Sequence, residues 1–286
     1  MSDVTVIGLG AMGSAIANAF LNASYDVTVW NRSPVKMDPF RHSGAECAVT
    51  VAEAGAASPV VVICIDDYKS TWNLFEEHGL GETLQGKTLL QFSTGTPKEA
   101  RETEIGAKAH DTNYLDGALL AYPREIGKDG IIAIAGDEQI YAGVSRLLAA
   151  LSTNVRYLGP TIGASAALDV AVLSYYVCTH LGLIHSALVC ESEGVPPELL
   201  ASTIIDSQPS DAGEIEHLGA ALSNNEFSEP GASIGVFSNV LDRILSQAKD
   251  ADIDSSIPEF ANKLYKKGID SGLADEEVVA LIKLLR

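Results

Sequence analysis

A glycine-rich segment near the N-terminus has the residue types and spacing that bind the pyrophosphate of a dinucleotide. It follows an apolar run, Val4–Ile7, and precedes a helix-like stretch over residues 14–21. Gly8 permits a sharp turn, Gly10 lets a pyrophosphate approach the backbone, and Gly13 lets the helix, with its free N–H groups, pack closely on the strand. The alternative is a glycine turn with a purely structural role. The predicted cradle consists of Gly8, Leu9, Gly10, Ala11, Met12 and Gly13.

The turn after the second predicted strand, Val27–Trp30, indicates which nicotinamide cofactor the chain binds. A site for NAD usually carries Asp or Glu here to hold the ribose diol, and no acid is present. Arg32 instead offers a planar fork of donors to a 2′-phosphate, Ser33 offers a hydroxyl, and Lys36 follows one turn later. The sequence therefore predicts NADPH, unless these residues form only a solvated basic turn. The other residues assigned to the cofactor site are Asn31, Cys64, Ile65, Ser93 and Thr94.

A single acidic residue, Asp169, lies within an apolar run over residues 166–172. Apolar surroundings disfavour the carboxylate and would raise the pKa of Asp169 toward neutrality, so that it can donate a proton or, once ionised, hold a cation. Tyr176 lies seven residues further on, within roughly 20° of the same helical face, and is a candidate for orienting a substrate or relaying a proton. The structural alternatives are a hydrogen-bonded helix aspartate and an aromatic residue at an interface.

Composition and charge exclude several classes of function. The chain has 286 residues, of which 47% are apolar and 20% charged, which is typical of a globular protein. Its formal net charge of -19 argues against nucleic acid or an anionic membrane as a partner. The four cysteines fit no zinc-binding spacing, and we expect no metal site. Since neither a basic leader nor an unbroken run of about 18 apolar residues is present, we expect a cytoplasmic protein.

The order of the predicted elements indicates an α/β chain with two domains. Residues 1–160 alternate strand and helix patterns, which predicts an NADPH-binding Rossmann-type domain with a doubly wound sheet. Residues 161–286 are predicted to form an all-α substrate and dimerisation domain that begins with a long interdomain helix over 163–193. The predicted strands cover residues 4–7, 27–30, 60–65, 88–92, 114–115 with 118–120, 131–135 and 156–158. The predicted later helices cover residues 197–205, 214–222, 232–251, 257–267 and 275–285.

Several segments resemble the β-hydroxyacid dehydrogenase and 6-phosphogluconate dehydrogenase superfamily. They are residues 8–13, 31–33, 93–97 and 114–117. Within it, the chain is most similar to the NADPH-dependent imine reductases and reductive aminases, through residues 94–97, 115–118, 123 with 126–127, and 167–171. The dehydrogenases of this superfamily place a catalytic lysine six residues after a glycine at the start of the long helix. Counting six from Gly163 gives Asp169, and residues 119–123 replace the Ser-Gly-Gly segment that grips a substrate carboxylate.

This resemblance implies reduction of an imine to an amine by hydride transfer from NADPH to the C=N carbon. Asp169 would be the proton donor or the carboxylate that stabilises an iminium ion. Ser93 replaces an asparagine of some reductive aminases, which favours a cyclic or preformed imine over coupling of an amine with a carbonyl compound. Two alternatives stay open: a β-hydroxyacid or carbonyl reductase that uses Asp169 in place of lysine, and a non-catalytic NADPH-binding sensor.

The long helix also predicts a homodimer. About 30 residues make a helix of about 45 Å, and its far half cannot be buried on one domain of this size. Soluble monomers avoid exposing such an apolar stripe, so a two-fold dimer is expected. The resemblance implies swapped helical domains, with the active site between one subunit's cofactor and the other's helices. The apolar residues of this stripe are Leu181, Leu183, Ile184, Ala187, Leu188 and Val189.

Overall fold

The computed structural model describes all 286 residues of the protein. The chain forms two compact units, Met1–Tyr175 and Tyr176–Arg286. The boundary between them falls within one continuous helix, Ala164–Ser192.

The first unit is built on an eight-stranded sheet. Its strand order is β3-β2-β1-β4-β5-β6-β7-β8, and every neighbouring pair is parallel except β6 and β7. The Val- and Ile-rich runs form strands because they are buried on both faces, as a parallel sheet requires. The strands are β1 Val4–Ile7, β2 Val27–Trp30, β3 Glu46–Cys47, β4 Val60–Ile63, β5 Thr88–Gln91, β6 Asn113–Leu120, β7 Ile131–Gly136 and β8 Val155–Tyr157.

Helices cover both faces of this sheet, which confirms the predicted doubly wound α/β class. The core on the face covered by α1, α2 and α7 contains 23 buried hydrophobic residues. The core on the face covered by α3 to α6 contains 15. The helices up to the boundary are α1 Ala11–Asn22, α2 Asp38–His42, α3 Val51–Ala56, α4 Tyr68–Glu77, α5 Leu80–Thr83, α6 Pro97–Ala109, α7 Glu138–Leu151 and α8 Ala164–Ser192.

The second unit is helical, as predicted, but its core is small. It contains the end of α8, then α9 Pro197–Asn224, α10 Ile234–Asp250, α11 Ser256–Asp270 and a final 3₁₀ turn, Val278–Leu284. The buried cluster consists of Ala221, Phe227, Ile234, Ala280 and Leu281.

Three predicted elements differ from the observed ones. Residues 197–205 and 214–222 belong to one helix, α9, which continues through Pro209. The Ser207 hydroxyl lies 2.8 Å from the carbonyl of Ile204 and 3.0 Å from the Asp211 carboxylate, so side-chain contacts span the turn that the proline weakens. In place of the predicted helix over 275–285, the chain forms a shorter 3₁₀ turn, Val278–Leu284. Strand β3 was not predicted, because its two residues are too few for a periodic pattern.

Helix α8 is unusually apolar and exposed. The sequence holds no unbroken apolar run of membrane-spanning length, yet α8 is, by length and composition alone, long and apolar enough to cross a membrane. Only 6% of this apolar stretch is buried. An exposed apolar surface of this size marks contact with another protein or with a membrane.

Candidate active site

A cleft of about 950 Å³ lies beyond the carboxyl ends of the central strands. The strand order reverses between β1 and β4, which is where doubly wound sheets bind their ligands. Gly8 follows β1, Asn31 follows β2 and Cys64 follows β4, so strand ends bring distant sequence positions together. The cleft is lined by Asp169 and by all the residues predicted to bind cofactor: Gly8, Leu9, Gly10, Ala11, Met12, Gly13, Asn31, Arg32, Ser33, Lys36, Cys64, Ile65, Ser93 and Thr94.

The glycine segment has the steric properties of a phosphate cradle. A Cβ atom on Gly8 would lie 2.2 Å from the carbonyl oxygen of Cys64, and one on Gly13 would lie 1.9 Å from the carbonyl oxygen of Gly8. Gly8 also has φ +97°, a left-handed conformation that favours glycine. A Cβ on Gly10 would meet nothing within 4 Å, so the space above the N-cap of α1 is open. No side chain caps this helix, which leaves its first N–H groups for a phosphate.

Asn31 joins this cradle to the basic turn, which consists of Arg32, Ser33 and Lys36. Its Oδ1 accepts a hydrogen bond from the Leu9 N–H at 2.9 Å, and its Nδ2 donates to the Ser33 carbonyl at 3.2 Å. The amide therefore fixes both segments at once. Arg32 and Lys36 are exposed and form no ion pair within the chain, so both cations remain for an anionic ligand.

The residues of the cleft thus fit NADPH. The open cradle matches a pyrophosphate, and the basic turn without an acid matches a 2′-phosphate. Burial raises the pKa of the Cys64 thiol to about 12, so the thiol would remain neutral beside a bound dinucleotide.

Asp169 lies in the second turn of α8 and is 9% exposed. Burial, and secondarily the nearby carboxyl of Asp116, raise the pKa of Asp169 above its ordinary value. A carboxylic acid in this position retains its proton to a higher pH than one in water. The cleft therefore contains both a dinucleotide cradle and a candidate proton donor.

Tyr176 is not among the residues that line the cleft. It belongs to the second unit, is 42% exposed, and its ring stacks on His180 with 6.4 Å between centroids. A role for Tyr176 in catalysis stays a prediction.

Sequence reasoning assigned no role to a buried polar cluster next to Asp169. Asp116 on β6 is fully buried and accepts hydrogen bonds from Tyr68 at 2.5 Å, from Ser165 at 2.5 Å and from Tyr114 at 3.2 Å. The signal in the sequence was a charged residue within an otherwise apolar strand, inside a segment that carried the family resemblance.

Family models match both parts of the chain. The NAD-binding domain of 6-phosphogluconate dehydrogenase matches residues 3–159. The C-terminal domain of proteins like NADPH-dependent reductive aminase matches residues 161–286.

Individual proteins agree with these models over the whole length. An NADPH-dependent reductive aminase from Aspergillus oryzae is 24% identical, and the match covers 99% of this chain and 97% of that protein. The solved imine reductase from Myxococcus stipitatus in complex with NADP+ is 28% identical, with a TM-score of 0.94 over 99% of this chain and all of the other. A reductive aminase from Aspergillus terreus, in complex with NADPH and ethyl-5-oxohexanoate, is 26% identical, with a TM-score of 0.93 over all of both chains. The cradle, the buried acid and these full-length matches together show that the chain belongs to the family of NADPH-dependent imine reductases and reductive aminases.

Proposed function

We propose that this protein reduces a cyclic or preformed imine to an amine, with Asp169 as the group that serves the imine nitrogen. The observation that carries the proposal is one cleft that combines the open glycine cradle, the basic turn at Arg32 and the buried carboxyl of Asp169. Family membership supports the same reaction.

The chain's own residues divide the work of binding. The glycine segment and the first turn of α1 would hold the pyrophosphate, while Arg32, Ser33 and Lys36 would hold the 2′-phosphate. Bound NADPH supplies the hydride that goes to the imine carbon.

Asp169 controls the charge at nitrogen. When the carboxyl is protonated, its O–H bond breaks as an N–H bond forms, and a neutral amine results. When the substrate arrives as an iminium ion, the carboxylate of Asp169 would offset its positive charge. The raised pKa of Asp169 extends the first route to higher pH than an ordinary carboxyl would allow.

The lining of the cleft favours a substrate without a carboxylate. Ala118, Leu119 and Ala121 contribute apolar surface there, in the region that replaces the carboxylate-gripping segment. Position 169, where those dehydrogenases have the catalytic lysine, is an aspartate, and the carboxylate-gripping segment is replaced, which weakens the alternative of a β-hydroxyacid dehydrogenase.

We also infer that the active enzyme is a cytoplasmic homodimer with 161–286 as its substrate and dimerisation domain. Leu181, Leu183, Ile184 and Leu188 on α8 are each at least 40% exposed, which leaves an apolar stripe to be covered. In the arrangement implied by the family resemblance, swapped helical domains would cover it, and Tyr176 would act in a site shared between subunits.

A direct assay tests this function. NADPH oxidation should be observed with a cyclic imine such as a pyrroline, and NADP+ should not be reduced with a 3-hydroxy acid. The opposite result would indicate the dehydrogenase. NADPH binding without either activity would indicate a sensor.

Substitution of the acid tests its role. Asp169→Ala should lower turnover by roughly 10²-fold or more, with Asp169→Asn nearly as poor and NADPH binding unchanged, because an amide neither donates a proton readily nor carries charge. The exposed Asp129, changed to Asn, is the matched control and should retain turnover. If the alanine variant kept most of its activity, the proton would come from elsewhere.

A further inference from the structure

The buried carboxyl of Asp116 is held by four donors from three elements. Tyr68 belongs to α4, Tyr114 to β6 and Ser165 to α8, and each hydroxyl lies within hydrogen-bond distance of Asp116. The backbone N–H of Ala166 also donates to it. An ionised Asp116 only accepts hydrogen bonds and can receive one from each of the three hydroxyls, whereas a protonated Asp116 would also need an acceptor for its own O–H.

No cation neutralises this site. Asp116 and Asp169 form no ion pair, and Arg101 on α6, which lies beside Gly163, pairs with neither. Gln91, opposite Asp116 on β5, is a neutral amide that donates to the Thr71 hydroxyl. Burial leaves the pKa of Asp116 above its ordinary value, although the three hydroxyls and the Ala166 N–H each act in the opposite direction and favour the anion.

This arrangement is next to the candidate proton donor. Ser165, which binds Asp116, lies four residues before Asp169 on α8 and thus on the same helical face. Two carboxyls that share a poorly solvated region do not both ionise easily, so the field of one holds the proton on the other.

Gly95 has a specific part in building the cluster. A Cβ atom on Gly95 would lie 2.3 Å from the Tyr68 ring. Glycine at this position, within the Thr-Gly-Thr-Pro segment, therefore leaves the space through which Tyr68 reaches Asp116.

We propose that Asp116 is a positioning residue for the reaction: fixed as a buried anion by Tyr68, Tyr114 and Ser165, it keeps Asp169 protonated and ready to donate. The catalytic role of Asp169 in this statement rests on the proposed function. After donation, the new Asp169 carboxylate lies beside the Asp116 charge. That repulsion favours return of a proton from water before the next turnover.

The titration of Asp169 tests this proposal without cofactor or substrate. The protein is labelled with ¹³C at its aspartate carboxyls and titrated by NMR. The signal that is missing from the Asp169→Asn variant is assigned to Asp169. We expect Asp116→Asn to lower the midpoint of the Asp169 titration by about one pH unit, which is a tenfold loss of proton affinity. Tyr68→Phe, which removes one donor and leaves the carboxyl, should lower it less. Glu277→Gln removes a buried carboxyl in the other unit and should leave it unchanged.

The pH profile gives a second readout. Because the proton-donating route needs the protonated acid, Asp116→Asn should move the alkaline limb of kcat/KM for a neutral imine to lower pH by the same amount. An unchanged Asp169 midpoint in folded Asp116→Asn, or in Tyr68→Phe if the first variant does not fold, would overturn the proposal. If the unmutated protein reduced no imine while the midpoint still shifted, the proposed function would fail and the coupling between the two carboxyls would stand.

Discussion

The two units of the chain bury their apolar residues to very different extents. The 175 residues of the first unit enclose core clusters of 23 and 15 buried hydrophobic residues on the two faces of the sheet. The 111 residues of the second unit have one cluster of five. All the residues that line the cleft belong to the first unit. The second unit has helices whose apolar side chains are exposed to solvent.

The exposed apolar side chains of the second unit are concentrated on its long helices. Ile184 on α8 is 56% exposed, and Ile205 on α9 is 67% exposed. Soluble monomers rarely expose contiguous patches of this kind, whereas obligate dimers bury them. The difference between the units therefore supports the proposed dimer, in which assembly would stabilise the second unit.

The largest expected effect follows from charging this stripe. Ile184→Glu should convert a dimer of about 60 kDa into the 30.1 kDa monomer at micromolar concentration, because an unpaired carboxylate would be buried at the interface. The dissociation constant of the dimer should increase by roughly 10²-fold or more. Light scattering or sedimentation measures this directly.

The first unit offers a matched control for that substitution. Ile105 on α6 is 69% exposed, and Ile105→Glu should leave the assembly unchanged. An unmutated protein that is a stable monomer with full imine-reducing activity would contradict both the dimer and the shared site.

The next effect in size is confined to the first unit. NADPH should bind at least roughly tenfold tighter than NADH, and Arg32→Ala should remove most of that preference, since a charge-assisted bond contributes about 1.5–3 kcal/mol. Arg41→Ala, in the following helix and outside the cleft, should preserve it. Calorimetric titration with both cofactors measures the ratio, and equal dissociation constants in the unmutated protein would refute the assignment of Arg32.

The sequence predicted the first unit far better than the second. Glycine spacing and buried Val and Ile runs determine local geometry, so β1, β2 and the cradle were located within a residue or two. The break predicted between residues 205 and 214 was wrong: α9 is continuous through Pro209, a residue type that usually interrupts a helix. The Asp116 cluster was missed because its donors come from residues 68, 114 and 165, and only folding brings them together.

The smallest expected effect concerns the small core of the second unit. Glu277 is 1% exposed and ties three segments together: Oε2 accepts from the Gly231 N–H and contacts His217 Nε2, both at 2.9 Å, and Oε1 accepts from the Val278 N–H at 2.7 Å. Glu277→Gln should lower the free energy of unfolding by about 1 kcal/mol, the typical net contribution of a hydrogen bond.

The pH dependence of the destabilisation by Glu277→Gln shows whether Glu277 stabilises the protein through its charge or through packing. Burial alone would raise the pKa of Glu277, but the N–H groups of Val278 and Gly231 and the His217 ring together leave it below its ordinary value. A carboxyl whose pKa is lower in the folded state stabilises the protein above its unfolded pKa of about 4.3, and that contribution is lost as the pH falls toward the folded value. Urea unfolding at fixed protein concentration should therefore show the largest difference between Glu277→Gln and the unmutated protein near neutral pH, and a smaller one below about pH 4. A difference that did not change with pH would mean that Glu277 contributes through its shape and not through its charge.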